Sequence, residues 1–162
     1  MPVSVLAFDL VCVDQEFVEA VIRVVDPMLR RTSRVPRLAE RVLALLPGLR
    51  KHTCENGSAH GISAELGDTE TPHLFEHLAV ELMALAGSPR TLKGETTWDF
   101  SADGEGMYRV RLAYDHDLVA LGAIKAAAGI VDWLFAGETP DGGVGSEVPN
   151  VDALVEALRR LR

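Results

Sequence analysis

The residues with the most chemical potential sit in one pentapeptide, His73-Leu74-Phe75-Glu76-His77. On a helix of ~3.6 residues per turn, His73 and His77 lie one turn apart on one face. At ~100° per residue, His77 falls about 40° from His73, Glu81 about 80°, and Glu76 about 60° to the other side. Two neutral imidazoles so spaced can chelate one Zn²⁺ at ~2.0–2.1 Å. A neighbouring carboxylate can then take the proton of a metal-bound water, whose pKa the metal lowers to ~7. Leu74, Phe75, Leu78, Ala79, Leu82 and Leu85 occupy the opposite arc, which predicts a helix with an apolar back and a polar front.

The order H-x-x-E-H is that of inverted zinc peptidases, and a chain of this composition would contain it by chance only ~0.01 times. The same residues also suit a capped, salt-bridged surface helix. A metal needs a third protein ligand. Glu81 is about 12 Å along the axis from His73, too far to share an ion, and is placed to orient a ligand or pair with an arginine. The segment His52-Thr53-Cys54 offers better donors, with Cys54 taken as the third ligand. Cys54 also reads as a small core residue, and His52 as an exposed loop residue. His52, Glu81 and Arg90 are assigned to substrate binding or to the shell behind the metal, although Arg90 also reads as an ordinary surface arginine. His60 and His116 read as surface histidines, and Cys12 as a core strand residue.

Several elements must position these groups. Residues 3–13 and 21–25 are rich in branched apolar residues and predict strands. Arg30, Arg31, Arg34 and Arg37 predict a solvated loop leading into a helix opened by Pro36 and stopped by Pro47-Gly48. Residues 50–71 predict a long loop of the kind that often carries function. Thr71-Pro72 predicts a helix start with a hydroxyl cap, and Gly87 its end. Alternation at Thr96, Trp98 and Phe100, and again from Tyr108 to Tyr114, predicts a hairpin through residues 101–106. Asp117 starts a helix to Phe135 closed by Gly137, with Ala123, Ala126, Ala127, Ala128 and Gly129 allowing close packing onto the sheet. Asn150 caps a last amphipathic helix. The sum is a single α+β domain, a small mixed or antiparallel sheet packed against helices, over residues 1–137. A glycine-rich linker follows over 138–149, then a helix over 150–162.

The chain has 162 residues and a formal charge of -8. That balance argues against sequence-independent nucleic-acid binding. No phosphate loop or dinucleotide fingerprint is present. Two cysteines are too few for a disulfide scaffold, no basic-led signal segment is seen, and no apolar run approaches the ~18 residues of a membrane span. A cytoplasmic protein without a membrane partner is the expectation, with oligomerisation left open.

Several segments together resemble the N-terminal domain of cyanophycin synthetase. They are Leu46-Pro47-Gly48-Leu49, His52-Thr53-Cys54 with Gly57, the run from His73 to Leu82, Leu85-Ala86-Gly87, and Gly106 to Tyr114. The resemblance spans about residues 20–137. It implies an α+β domain that handles an aspartyl-arginine polymer, holding it or, as in some members, trimming it at a metallopeptidase-like site. It would make His73 and His77 ligands, Glu76 the water-activating base, and the His52-to-Cys54 segment part of the same site. The sequence departs from the family at Ala59-His60-Gly61-Ile62 and Ser88-Pro89-Arg90-Thr91, which bears on substrate choice. The expectation is therefore a zinc-dependent hydrolase of amide bonds in such a polymer or a related peptide, with the acidic balance suiting guanidinium groups. The alternative is a non-catalytic polymer- or peptide-binding module serving a separate ligase. One domain of this length leaves no room for ATP-driven ligation.

Overall fold

The computed structural model describes residues 4–54, 61–136 and 147–162. Strand β1 (Leu6–Val13) turns through Asp14, whose N–H donates to the Phe17 carbonyl at 2.8 Å, into β2 (Phe17–Val24). Every second residue of β2, from Val18 to Val24, is buried, so one face of the strand meets the core. Strand β4 (Met107–Ala113) repeats this with Tyr108, Val110 and Leu112, and Ile22 lies opposite Tyr108. With β3 (Gly94–Thr97) the sheet has the order β1-β2-β4-β3, antiparallel throughout. This is the α+β architecture that the sequence predicts, in its antiparallel form.

The helices are α1 (Leu38–Leu45), the single turn α2 (Ile62–Glu65), α3 (Thr71–Leu85), the single turn α4 (Phe100–Asp103), α5 (Asp117–Phe135) and α6 (Val151–Arg159). Helix α3 lies between β3 and β4 on one side and α5 on another, while the segment around 47–51 covers a third. Twelve of its fifteen residues are therefore buried. The predicted polar front exists, but it faces the interior instead of water.

The structure departs from the sequence reading at several local points. Arg31, Arg34 and Arg37 are exposed, as a solvated segment requires, but the segment is not an irregular loop. Short helical turns at Pro27–Leu29 and Thr32–Arg34 order the segment. There Arg30 pairs with Glu105 at 2.6 Å, and Arg31 pairs with Asp68 at 2.7 Å and Glu70 at 2.8 Å. The Thr71 hydroxyl does not cap α3; it donates to the Leu29 carbonyl at 2.6 Å, and Glu70 stands at the cap position. Strand β3 pairs with β4 but stops at Thr97. The Asp99 carboxylate then accepts from the Ser101 and Ala102 N–H groups and starts α4, which removes Phe100 from the predicted hairpin. Cys12 is exposed because it lies on β1 opposite Glu19, on the side away from the core.

Helix α5 packs chiefly on α3 rather than on the sheet. Ala123 and Ala127 are buried there, but Gly129 is exposed. The close approach is at Gly122, where a Cβ would lie 2.7 Å from Leu158 Cδ2 of α6. Contrary to the sequence reading, α5 is long and apolar enough to cross a membrane, with a mean hydropathy of 1.8. Its buried stripe from Val119 to Leu134 is that of a core helix. Asn150 caps α6 through the Ala153 N–H at 3.0 Å, as predicted. His116 is half-buried. His60, Gly137 and most of the predicted linker lie outside the described residues.

Candidate metal centre

The buried first half of α3 carries His73, Glu76 and His77, while the extended segment after Lys51 brings His52 and Cys54 over them. Cys54 Sγ and His77 Nε2 each lie 3.1 Å from His73 Nε2. The donor atoms of Cys54, His73 and His77 all fall within 4.8 Å of one another. Ligands of a tetrahedral zinc with bonds of ~2.0–2.3 Å stand ~3.3–3.7 Å apart, so this trio could hold a metal ion after a small outward relaxation.

The surrounding hydrogen bonds fix the donor atoms of the cluster. Arg90 grips the Glu81 carboxylate at 2.9 and 3.3 Å, so that carboxylate is ionised and can only accept. His52 Nε2, 2.7 Å away, must therefore donate to it. With Nε2 as its donor, His52 can accept through Nδ1, which lies 3.0 Å from His77 Nδ1 and can take the Nδ1–H of that ring. His77 is left with a bare Nε2 aimed at His73 and Cys54, which is the tautomer a metal requires. His73 Nδ1 lies 3.0 Å from the Thr69 hydroxyl, which can accept its proton and free Nε2 in the same way. Burial, reinforced by His73 and His52, pushes the His77 pKa down to about 3, and burial also lowers that of His73. Both rings are thus held neutral.

Glu76 sits at the edge of the cluster, its Oε2 3.9 Å from His73 Nε2. Burial drives its pKa up to about 7, against the Thr96 hydroxyl that donates to the carboxylate at 2.7 Å. Glu81, five residues further along the helix, shows the reverse. Burial raises its pKa too, but the hydrogen bonds from His52 and Arg90 outweigh it and the net shift is downward. A glycine faces each carboxylate. A Cβ on Gly94 would lie 2.6 Å from Glu76 Cγ, and one on Gly48 would lie 2.0 Å from Glu81 Oε1.

The structure brings all seven sequence-predicted residues into one network running Arg90, Glu81, His52, His77, His73, Cys54, with Glu76 beside His73. Sequence reasoning missed Thr69, Thr96, Gly48 and Gly94. Two had a signal: Thr69 stands just ahead of the helix that carries His73, and Gly48 lies in one of the family-like segments. The others come from distant segments. A cleft of about 640 Å³ opens onto the cluster between α3 and the β3 strand.

An antiparallel sheet with a central buried helix bearing a cysteine–histidine cluster defines a small α+β domain with a potential metal site. The profile of the cyanophycin synthase-like N-terminal domain family matches residues 21–136, and the chain belongs to that family. No curated protein matches the chain.

Proposed function

We propose that the protein is a metal-dependent hydrolase of amide bonds in a cyanophycin-like aspartyl-arginine polymer or a related peptide. The observation that supports this most is a convergent Cys54, His73 and His77 donor set with a protonatable carboxylate, Glu76, beside it. A zinc ion held by these three residues would supply Lewis-acid polarisation of the scissile carbonyl and an acidified water. Glu76 takes a proton from the attacking water and delivers it to the leaving amine as the C–N bond breaks. In the metal-free protein burial holds its pKa up at about 7, so the carboxylate can carry a proton. Thr96 fixes the carboxylate's direction, and His52 and Thr69 fix the two imidazoles. The polymer comes from the family, whose name is that of a cyanophycin synthase-like domain.

The test is cleavage of an aspartyl-arginine polymer by the parent protein and by Glu76→Gln. Turnover should fall by ~10²–10⁴-fold while polymer binding persists. Binding without turnover in both proteins would point instead to a holding module that serves a separate ligase.

A further inference from the structure

The two edges of the sheet are finished differently. Strand β3 is four residues long and carries Glu95. Strand β1 is eight residues long, with no lysine or proline. Its one charge, Asp9, sits at a bulge in the pairing with β2 and reaches Arg23 at 3.5 Å. Short length, charge and bulges are the usual devices that keep an edge from pairing with another chain. From Leu10 to Val13, β1 has none of them.

These four residues are exposed on both faces of the sheet. Leu10 and Cys12 lie on the outer face, opposite Val21 and Glu19. Val11 and Val13 lie on the core face, opposite the buried Ala20 and Val18, yet they stay 39% and 43% exposed. The helical layer thus covers β2 and stops short of the end of β1. The backbone is open as well. The Asp14 N–H donates to the Phe17 carbonyl, so the alternation of an antiparallel ladder makes Cys12 and Glu19 the next hydrogen-bonded pair. The N–H and C=O groups of Val11 and Val13 then point to the outer edge. The bond from the Tyr114 N–H to the Glu16 carbonyl gives the same phase from the other side, since it commits Val18 and Ala20 to β4. Among the described residues no strand lies beyond β1.

We infer that β1 pairs antiparallel with β1 of a second copy of this chain, about a two-fold axis at Cys12. In that register Val11 of each copy exchanges both hydrogen bonds with Val13 of the other, which satisfies the outward groups of the exposed run. The four valines meet on the core face and cover one another. Leu10 stands opposite Asp14 of the other copy, so no like charges face each other. An axis at Val11 fails, because it needs outward bonds from Asp9, where the bulge breaks the ladder. The product is one sheet of eight strands with the helices of both copies on one face. The clefts beside β3 lie at its far ends and stay open. Four residues a side fall well short of the ~20–30 of a standard interface, so the dimer is reversible. It depends on neither the metal nor hydrolysis.

Sedimentation equilibrium of the full-length protein over a wide concentration range should give a mass rising from one chain towards two. Val11→Pro deletes an outward N–H and leaves the ladder to β2 intact, and Val13→Lys sets two cations against the shared valines. Each should weaken dimerisation by about tenfold or more, with circular dichroism checking the fold. Cys12 and its copy form a non-hydrogen-bonded pair with Cα atoms ~4.5 Å apart, within reach of a disulfide. Diamide should therefore link the parent into a covalent dimer whose peptide map joins Cys12 to Cys12. If both variants unfold, that map decides alone. A parent that stays monomeric at every concentration, or a dimer untouched by both folded variants, would overturn the pairing. A dimer that diamide does not link through Cys12 would overturn the register.

Discussion

Glu76 and Glu81 lie on the same helix, both buried and both facing a glycine, yet they end on opposite sides of the ordinary glutamate pKa. Burial acts upward on each. At Glu81 a guanidinium and an imidazole N–H answer it, so the carboxylate is a fixed anion that anchors His52. At Glu76 a single hydroxyl answers it, and the carboxylate stays poised to exchange a proton. The contrast shows that partners rather than depth decide whether a buried carboxylate is fixed as an anion or titrates near neutral pH.

That contrast can be broken in order of expected effect. Removing each carboxylate should fail in a different way. Where Glu76→Gln loses turnover and keeps the metal, Glu81→Gln should weaken metal binding by ~10–100-fold, because His52 loses the acceptor that sets the His77 tautomer. Equilibrium zinc titration distinguishes the two, and equal zinc affinity in both would refute the relay. Gly94→Ala comes next. Its methyl group collides with Glu76, so turnover should drop by about tenfold or more while the zinc affinity stays near the parent value, as paired kinetic and titration measurements would show.

Thr96→Val should act more gently. It removes the donor that holds the Glu76 pKa down, so the acid limb of the kcat/KM profile should move to higher pH. An unmoved limb would mean that Glu76 is not the titrating base.

The smallest effect concerns the metal-free fold. His77 has its pKa depressed to about 3, so stability is lost as pH falls from its ordinary value near 6.5 towards 3, where the unfolded chain takes the proton first. Glu76 is raised, so its contribution is lost as pH rises from about 4.5 through about 7. The two windows overlap between about 4.5 and 6.5, where the slopes oppose, so melts of the metal-free protein should be nearly level there and drop below about 4.5, while Glu76→Gln should make stability go on rising with pH up to about 6.5. A parent melt independent of pH across both windows would contradict the assignment.

Much of this was legible in the sequence because the chemistry is local. The spacing of His73, Glu76 and His77 needs only a helix to become a site, and the strand alternation in β2 and β4 needs only a core. What stayed hidden depends on distant contacts. Nothing local indicates that α3 is enclosed on several sides, since the same amphipathic pattern serves a surface helix. Thr96 and Gly94 matter because β3 runs beside α3, and Gly48 because its backbone meets Glu81. The arginine segment misled for the same reason, its partners Asp68, Glu70 and Glu105 lying far along the chain.

The most direct test of the account is metal occupancy under defined zinc supply, by elemental analysis and by the absorption of a cobalt-substituted sample. The parent should bind about one ion per chain with a thiolate-to-cobalt band. Cys54→Ser should lose that band, and His73→Ala should lose the ion while both keep the parent's circular dichroism. A well-folded parent that binds neither zinc nor cobalt, or a cobalt spectrum unchanged by Cys54→Ser, would contradict the site built here from Cys54, His73 and His77.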